Sequence, residues 1–468
     1  MTEAAPRLAA LAETLLGAPL PVRIRAWDGS EAGPPTGPTL VLTNRRALRR
    51  VLWRPGELGL ARAWVAGDLT VEGDLFDMLD RVAGLLWERG SAPAPAPAPE
   101  TRPALRRSGL GKLGALSSHL PGLPDRTAGA AQAAALLRDP EARAALRELL
   151  ALARPWPAPA PPPEEAPGRR SGQAHSKRRD KQAISHHYDV GNEFYEHVLG
   201  PSMVYSCAYW NPGSTLEEAQ RDKLDLVCRK LGLRPGQRLL DVGCGWGSMA
   251  LHAAREYGVH VTGVTLSREQ AAYARKRAAE EGLADRVDIR IQDYRDVKDG
   301  PYDAISSIGM AEHVGAARYR DYAGDLYALL APGGRLLNHQ IGRPPEPDEE
   351  AYRIDEFIDA YVFPDGELSP LGTTVGELER AGFEVRDVEA LREHYALTLR
   401  AWVARLEDHW DAAVRLTSPG RARVWRLYMA ASALGFERGR LGVNQVLAVK
   451  PAAAGRSGLP LRLRTWGA

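Results

Sequence analysis

Leu239-Leu-Asp-Val-Gly-Cys-Gly-Trp-Gly247 is the stretch whose reading decides the fold. An apolar run stops at Asp241, breaks into three alternating glycines, Gly243, Gly245 and Gly247, and leads into a helix-forming run from Met249 to Tyr257. Glycines let the backbone turn sharply and bring bare N–H groups to a ligand at a helix N-terminus, a geometry suited to a nucleotide-like group or a carboxylate. A dinucleotide fingerprint would read G-x-G-x-x-G with an acid about 20 residues on. The matching stretch here, Val261 to Ser267, holds no acid, which disfavours NAD. A glycine-rich turn with no ligand is the alternative.

Outward from this loop the pattern is regular. Helical spacing over Leu216–Lys230 precedes a strand Gln237–Val242, and the helix after the loop leads to a strand His260–Thr265. A helix Arg268–Glu281, a strand Val287–Gln292, a strand Tyr302–Ile308, a helix near Ala317–Leu330 and a strand Gly334–Gln340 follow. Such alternation predicts a parallel sheet with helices on both faces and ligands at the carboxyl ends of its strands. Phe383–Glu389 and Val443–Val449 are expected to finish it as a terminal antiparallel pair. The fold class is therefore α/β: a Rossmann-like sheet of seven strands with a smaller N-terminal α+β domain. The D-x-G-x-G-x-G form itself resembles the first motif of S-adenosylmethionine-dependent methyltransferases.

At 468 residues the chain exceeds one ordinary domain. Three segments are expected: an α+β domain over 1–90, proline- and alanine-rich linkers with a helical segment and a basic run over 91–183, and the α/β domain over 184–468. In the first, strand-like Val22–Asp28 and Thr39–Thr43 alternate with helical Asn44–Leu52 and Leu75–Leu86, while Leu8–Leu20 reads as an amphipathic helix because Glu3 and Glu13 spoil a signal peptide. In the second, Ala92–Pro103 and Pro155–Pro167 lack the apolar surface that offsets ordering entropy, and Ala128–Leu152 has helical spacing. Apolar residues at 44% and charged residues at 26% fit a soluble globular protein, and no run approaches the roughly 18 to 20 apolar residues of a membrane span. Cys207, Cys228 and Cys244 show neither metal-ligand spacing nor a disulfide framework, so no metal is expected and the compartment reads as the cytoplasm.

The residues just after each strand carry the chemistry. Thr265 and Gln270 stand where many methyltransferases place an acid on the cofactor ribose, and Asp293 is placed to accept from an adenine amino group. Ser267 with Gln270 also fits a helix cap, the likelier role for Ser267, and Asp293 fits a turn cap. The next two strand ends deliver Glu312-His313-Val-Gly and Asn338-His339-Gln340-Ile341-Gly342 to one cleft. Upstream lie His186-His-Tyr188-Asp189-Val-Gly-Asn and Met203-Val-Tyr205-Ser206-Cys207-Ala-Tyr209-Trp210.

Read in order, H-Y-D-x-G-N, Y-S-C-A-Y-W, L-D-V-G-C-G-W-G, V-T-L-S-x-E-Q and E-H-V-G resemble the cyclopropane fatty acid synthase family of S-adenosylmethionine-dependent lipid C-methyltransferases, from about Ile184 to Lys450. Ala63-Trp-Val-Ala-Gly-Asp-Leu and Glu72-Gly-Asp-Leu look like that family's N-terminal domain. The resemblance implies an S-adenosyl-L-methionine pocket made by Tyr205, Ser206, Asp241, Gly243, Gly245, Gly247, Thr265, Gln270 and Asp293. It further implies bicarbonate as a base, held by the Cys207 and Ile341 backbone N–H groups, Glu312, His339 and Tyr361. Where many members have a cysteine this chain has Ser432, which resembles the subgroup making methylene-branched acyl chains, precursors of 10-methyl fatty acids, so the product is a cyclopropane or a methylene branch.

Methylating an isolated alkene calls for proximity, a dry site and aromatic faces beside the developing cation. Tyr188, Tyr209, Trp210, Phe363, Tyr395 and Phe436 are candidates, each also readable as core packing. The expected partners are unsaturated phospholipid and an anionic membrane surface, with a reductase for a methylene product and, since family members often form dimers, a second copy of the chain. The basic run over 168–181, six Lys/Arg against one Asp, would hold the protein peripherally on the inner membrane face or serve only as a solvated linker. It lacks the interleaved aromatics of a nucleic-acid site. A non-catalytic lipid carrier or scaffold and a methyltransferase for a soluble small molecule are the alternatives.

Overall fold

The computed structural model describes residues 3–87, 140–153, 157–166, 177, 179, 190–349 and 352–461. Two compact units emerge: Met1–Pro163 with Glu346–Phe357, and Glu164–Pro345 with Ile358–Ala468.

The first unit holds a four-stranded sheet in the order β2-β1-β3-β4, with β1 Arg23–Arg25, β2 Glu31–Ala32, β3 Thr39–Leu42 and β4 Leu69–Glu72. Its N-terminal helix runs Ala4–Leu16, earlier than the apolar run alone indicates, because Gly17 takes the left-handed conformation that closes a helix. Ala5, Leu8 and Leu11 of this helix pack with Ile24, Leu42, Ala47 and Ala63. Helix Pro140–Ala153 brings Leu152 to the same core, and Arg7 Nε meets Glu148 at 2.7 Å. This helix of the segment expected to link domains is thus part of the unit's packing. Asp68, in the Ala-Gly-Asp-Leu motif, is buried and accepts from Arg50 Nε at 2.8 Å, Arg46 Nε at 3.1 Å and Asn44 Nδ2 at 2.8 Å. A buried carboxylate needs such partners, which accounts for those three side chains.

The second unit is built on β5 Arg238–Val242, β6 His260–Thr265, β7 Val287–Ile291, β8 Tyr302–Ile308, β9 Leu330–Arg343, β11 Glu384–Ala390 and β12 Gly442–Val449, ordered β11-β12-β9-β8-β5-β6-β7. A two-residue strand, β10 Ser369–Pro370, adds to the far end of β9. Alternate side chains serve opposite faces: Leu239, Leu337 and Leu447 join one core, Leu240, Leu336 and Val446 the other. Both faces are covered, so the strands read as apolar runs.

The last two strands form the expected terminal antiparallel pair. Only β12 runs against the sheet, wedged between β9 and β11 and antiparallel to both, so β11 at the edge runs with the rest. The reversal is possible because three helices, Arg392–Asp408, Trp410–Leu416 and Pro419–Glu437, carry the chain from β11 back to β12. Order reverses between β5 and β8, where the chain leaves for β6 and β7 and returns on the other side. That is where a sheet of this kind opens a crevice at its carboxyl ends.

Candidate active site

A cavity of about 180 Å³ occupies this crevice. Its lining comes from the ends of β5, β6, β7 and β8 and from Met203–Ser206. Of the nine residues assigned to the cofactor, Tyr205, Ser206, Asp241, Gly243, Gly245, Thr265, Gln270 and Asp293 line it. Gly247 lines no part of it. All three loop glycines have positive φ, but a Cβ on Gly247 would sit 2.8 Å from the Ala274 Cβ, whereas one on Gly245 would meet nothing within 4 Å. Gly247 therefore lets helix Ser248–Tyr257 pack close to helix Arg268–Glu280, and Gly245 keeps backbone open to the cavity.

Asp241 ends β5 with Oδ1 accepting from Ser306 Oγ at 2.7 Å and Oδ2 buried without a partner among the described residues. Burial pushes its carboxyl up to about 6, against the opposing pull of Ser306 and Lys223. Lys223, on helix Leu216–Leu231, is fully buried, lines the cavity and donates to Ser206 Oγ at 2.8 Å. Burial lowers its ammonium to about 8, with Cys207 and Asp241 acting the other way. A lysine at an apolar-spaced helix position is easily taken for a solvated one. Sequence reasoning missed it, and its only signal was that its neighbours on that face are buried.

The β6 end is also more specific than a cap. Ser267 Oγ accepts from the Gln270 N–H at 3.2 Å, the cap expected of it. The Gln270 side chain does not reciprocate. Thr265 Oγ1 accepts from Ser267 N at 3.2 Å and gives its proton to Gln270 Oε1 at 2.9 Å, which leaves the Gln270 amide N–H groups as donors on the cavity side. Asp293 both caps the turn Tyr294–Asp296 and pairs with Arg295, accepting at 2.8 Å and 2.6 Å.

The five residues assigned to the base separate into three groups. Glu312 Oε1 accepts from the Ile341 N–H at 2.8 Å, while Oε2 is buried without a partner among the described residues. Burial pushes the Glu312 carboxyl up to about 7, and the Ile341 N–H pulls it down. His339 lies two residues before Ile341 on β9, its Nδ1 3.2 Å from Gln445 Nε2 and its Nε2 likewise buried and unpartnered. Burial, with Lys223 and Lys230 near, drives its pKa well below the ordinary 6.5. Cys207 follows the cavity residue Ser206. Burial raises its thiol far above the ordinary 9.0, and its Sγ donates to the Ala208 carbonyl at 3.2 Å, so it is no nucleophile. Tyr361 closes helix Glu356–Tyr361, is buried, and gives its hydroxyl to Glu165 Oε2 at 2.9 Å.

An aromatic wall joins the cavity to these groups. Tyr205 lies 5.3 Å from Trp402 and 5.8 Å from Trp425, its hydroxyl 3.4 Å from that of Tyr428. Trp246 and Tyr195 meet at a tilt, their ring centroids 4.6 Å apart. The nearby Glu312 carboxylate helps raise the Tyr428 hydroxyl, after burial the main cause, to about 12. Phe363 reaches this wall through Tyr428 at 5.8 Å. The other aromatic candidates serve packing: Tyr395 and Phe436 pair at 4.8 Å, Tyr209 stacks on His394 at 4.8 Å, and Trp210 Nε1 donates to Thr398. Tyr188 and the His186–Asp189 motif lie outside the described residues. Sequence reasoning missed Trp402, on helix Arg392–Asp408, and also Trp425 and Tyr428, whose i, i+3 spacing on the last helix was their one signal. Ser432, half-buried, sits one turn beyond Tyr428.

Comparison with known proteins places this geometry. Residues 175–446 match the family described as mycolic acid cyclopropane synthetase. A probable fatty acid methyltransferase of Mycobacterium tuberculosis is 41% identical over 452 residues, 94% of this chain and 94% of that protein. The cyclopropane-fatty-acyl-phospholipid synthase of Escherichia coli K12 is 38% identical over 272 residues, 58% of this chain and 69% of its own. A structure of mycolic acid cyclopropane synthase CmaA1 complexed with SAH and CTAB aligns with TM-score 0.55 and 34% identity, covering 58% of this chain and 98% of that one. With its glycine loop, its crevice and this match over more than half its length, the chain belongs to the mycolic acid cyclopropane synthetase family of S-adenosylmethionine-dependent methyltransferases.

Proposed function

We propose that this enzyme methylates the cis double bond of an unsaturated acyl chain in membrane phospholipid and that a buried bicarbonate takes up the proton released. The observation that carries the reading is the pair of buried, unpartnered polar atoms, Glu312 Oε2 and His339 Nε2, beside a backbone N–H already engaged by Glu312. A lipid carrier has no use for such a pair. When bound, S-adenosyl-L-methionine supplies an electrophilic methyl on sulfur and bicarbonate supplies a base.

The chain's own residues do the rest. Asp241 would hold the cationic amino end of the methyl donor, Lys223 and Ser206 its carboxylate, the Gln270 amide a ribose hydroxyl and Asp293 the adenine. The alkene π pair forms the new C–C bond, sulfur keeps the broken C–S pair, and positive charge falls on the neighbouring carbon. Tyr205, Tyr428 and Phe363 exclude water from that carbon and stabilise its charge by cation–π attraction, worth about 0.5–2 kcal/mol per ring. Glu312 and His339 hold the base against it. A proton lost from the new methyl closes a cyclopropane; a hydride shift first gives an exocyclic methylene. Ser432 in place of a family cysteine favours the methylene-branched, 10-methylene product.

Incubation with S-adenosyl-L-methionine and oleoyl phospholipid vesicles, read by mass spectrometry of the acyl chains, is expected to show a gain of one CH2, and turnover should fall in carbon dioxide-free buffer and recover with added bicarbonate. No gain on any unsaturated lipid, or turnover of a water-soluble acceptor alone, would overturn the reading. A reductase reduces a methylene branch to a methyl branch and leaves a cyclopropane untouched, which separates the two products.

A further inference from the structure

His339 stands on β9 directly opposite Gln445 on β12, so the two side chains share one face of the sheet. Gln445 is fully buried and has a second neighbour, Lys230 of helix Leu216–Leu231, whose Nζ donates to Gln445 Oε1 at 2.8 Å. An ammonium has no acceptor lone pair, so it fixes which end of the amide faces it. The Gln445 carbonyl oxygen is held toward Lys230 and the amide nitrogen toward His339 Nδ1, 3.2 Å away. Nδ1 must then accept. An imidazole with an accepting Nδ1 is neutral and carries its one proton on Nε2, the nitrogen that is buried without a partner among the described residues. Lys230 is itself held in place by Glu389 and by Asp387 at 3.9 Å.

We propose that Lys230 and Gln445 are positioning residues that hold His339 as the Nε2–H tautomer, so that the imidazole presents a hydrogen-bond donor, and neither a lone pair nor a mobile proton, to the anion beside Glu312. This rests on the base reading given above and adds the polarity of one of its contacts. The opposite tautomer would aim a lone pair at an anion, and an imidazolium could surrender its proton to the base and spoil it. The charge that fixes the amide lies two hydrogen bonds from the imidazole and three from the anion.

The test is ¹⁵N NMR of histidine-labelled full-length protein with S-adenosylhomocysteine, the His339 signals being those lost in His339→Gln. Wild type is expected to show a protonated Nε2 and bare Nδ1. Gln445→Met should give a mixture of tautomers, and Gln445→Glu, whose carboxylate accepts from Nδ1–H, should protonate Nδ1. Both should lower kcat about 10- to 100-fold, as loss of an outer hydrogen bond to a functional histidine does, with S-adenosylmethionine affinity unchanged. A wild-type Nδ1–H, or a Gln445→Met enzyme with unaltered tautomer and kcat, overturns the proposal. The wild-type spectrum needs no turnover and no variant that folds. If the spectrum is as expected while wild-type turnover ignores bicarbonate, it is the base reading that falls, and with it the anion assigned to the donor.

Discussion

The buried Glu312 carboxylate costs the fold stability, and the proposed base site gives that cost a use. Its pKa in the fold is about 7 against an ordinary 4.5, because burial penalises the charged form. A raised carboxylate pKa stabilises the fold fully below about pH 4.5 and loses that contribution as pH rises through 7, where the buried group must ionise. Glu312→Gln should accordingly raise unfolding stability at pH 8 by on the order of 1–3 kcal/mol, measured by denaturant titration, while keeping an acceptor for the Ile341 N–H. The same change should cut kcat by at least about 100-fold and abolish an acid limb near pH 7 in the kcat profile. A variant neither more stable nor slower would show that Glu312 is not ionised at work. Asp241 titrates lower, near 6, so affinity for the cationic donor should weaken as pH falls through that value, and Asp241→Asn should weaken it about tenfold and flatten the dependence. Calorimetric titration at pH 5.5 and 7.5 decides it. Thr265 and Gln270 were readable as a substitute for the usual ribose acid, but the direction of their hydrogen bond, which leaves the amide to donate, came from Ser267 and no motif states it.

At the scale of elements, one loop serves two ends. Gly245→Ala puts its methyl into open space on the cavity side at φ 54, so it should weaken S-adenosylmethionine binding severalfold and cost about 1–2 kcal/mol of backbone strain. Gly247→Ala drives its methyl against Ala274 between two helices, at φ 84. It should lower Tm more than Gly245→Ala does, by about 2–4 kcal/mol of strain and overpacking, and affect binding only through stability. Equal losses of Tm would refute the division. The motif named all three glycines as cofactor residues, and helix packing, a long-range contact, separated the third. β11 and β12 were readable as a terminal antiparallel pair, but which of the two runs against the rest of the sheet depends on where the three helices between them return the chain.

For the whole molecule, the basic run over 168–181 is the prediction that reaches beyond the fold. Both of its cations among the described residues are engaged, Lys177 with Asp296 at 2.6 Å and Arg179 with Asp365 at 2.6 Å. Arg169→Gln with Arg170→Gln should weaken binding to anionic vesicles by about 1 kcal/mol per charge, an effect that vanishes at high salt. Unchanged co-sedimentation would leave the run a linker. No helix among the described residues is long and apolar enough to cross a membrane. By itself the sequence determined the order of strands and helices, the glycine loop, the methyl donor and the family, because each is written in local spacing or in short contiguous motifs. Tertiary structure alone decided that Gly247 packs helices, that Lys223 and Lys230 are buried inside the sheet's cover, and that Glu312 Oε2 and His339 Nε2 have no partner among the described residues. Those are facts about which distant residues exclude water from one another, and no local pattern encodes them.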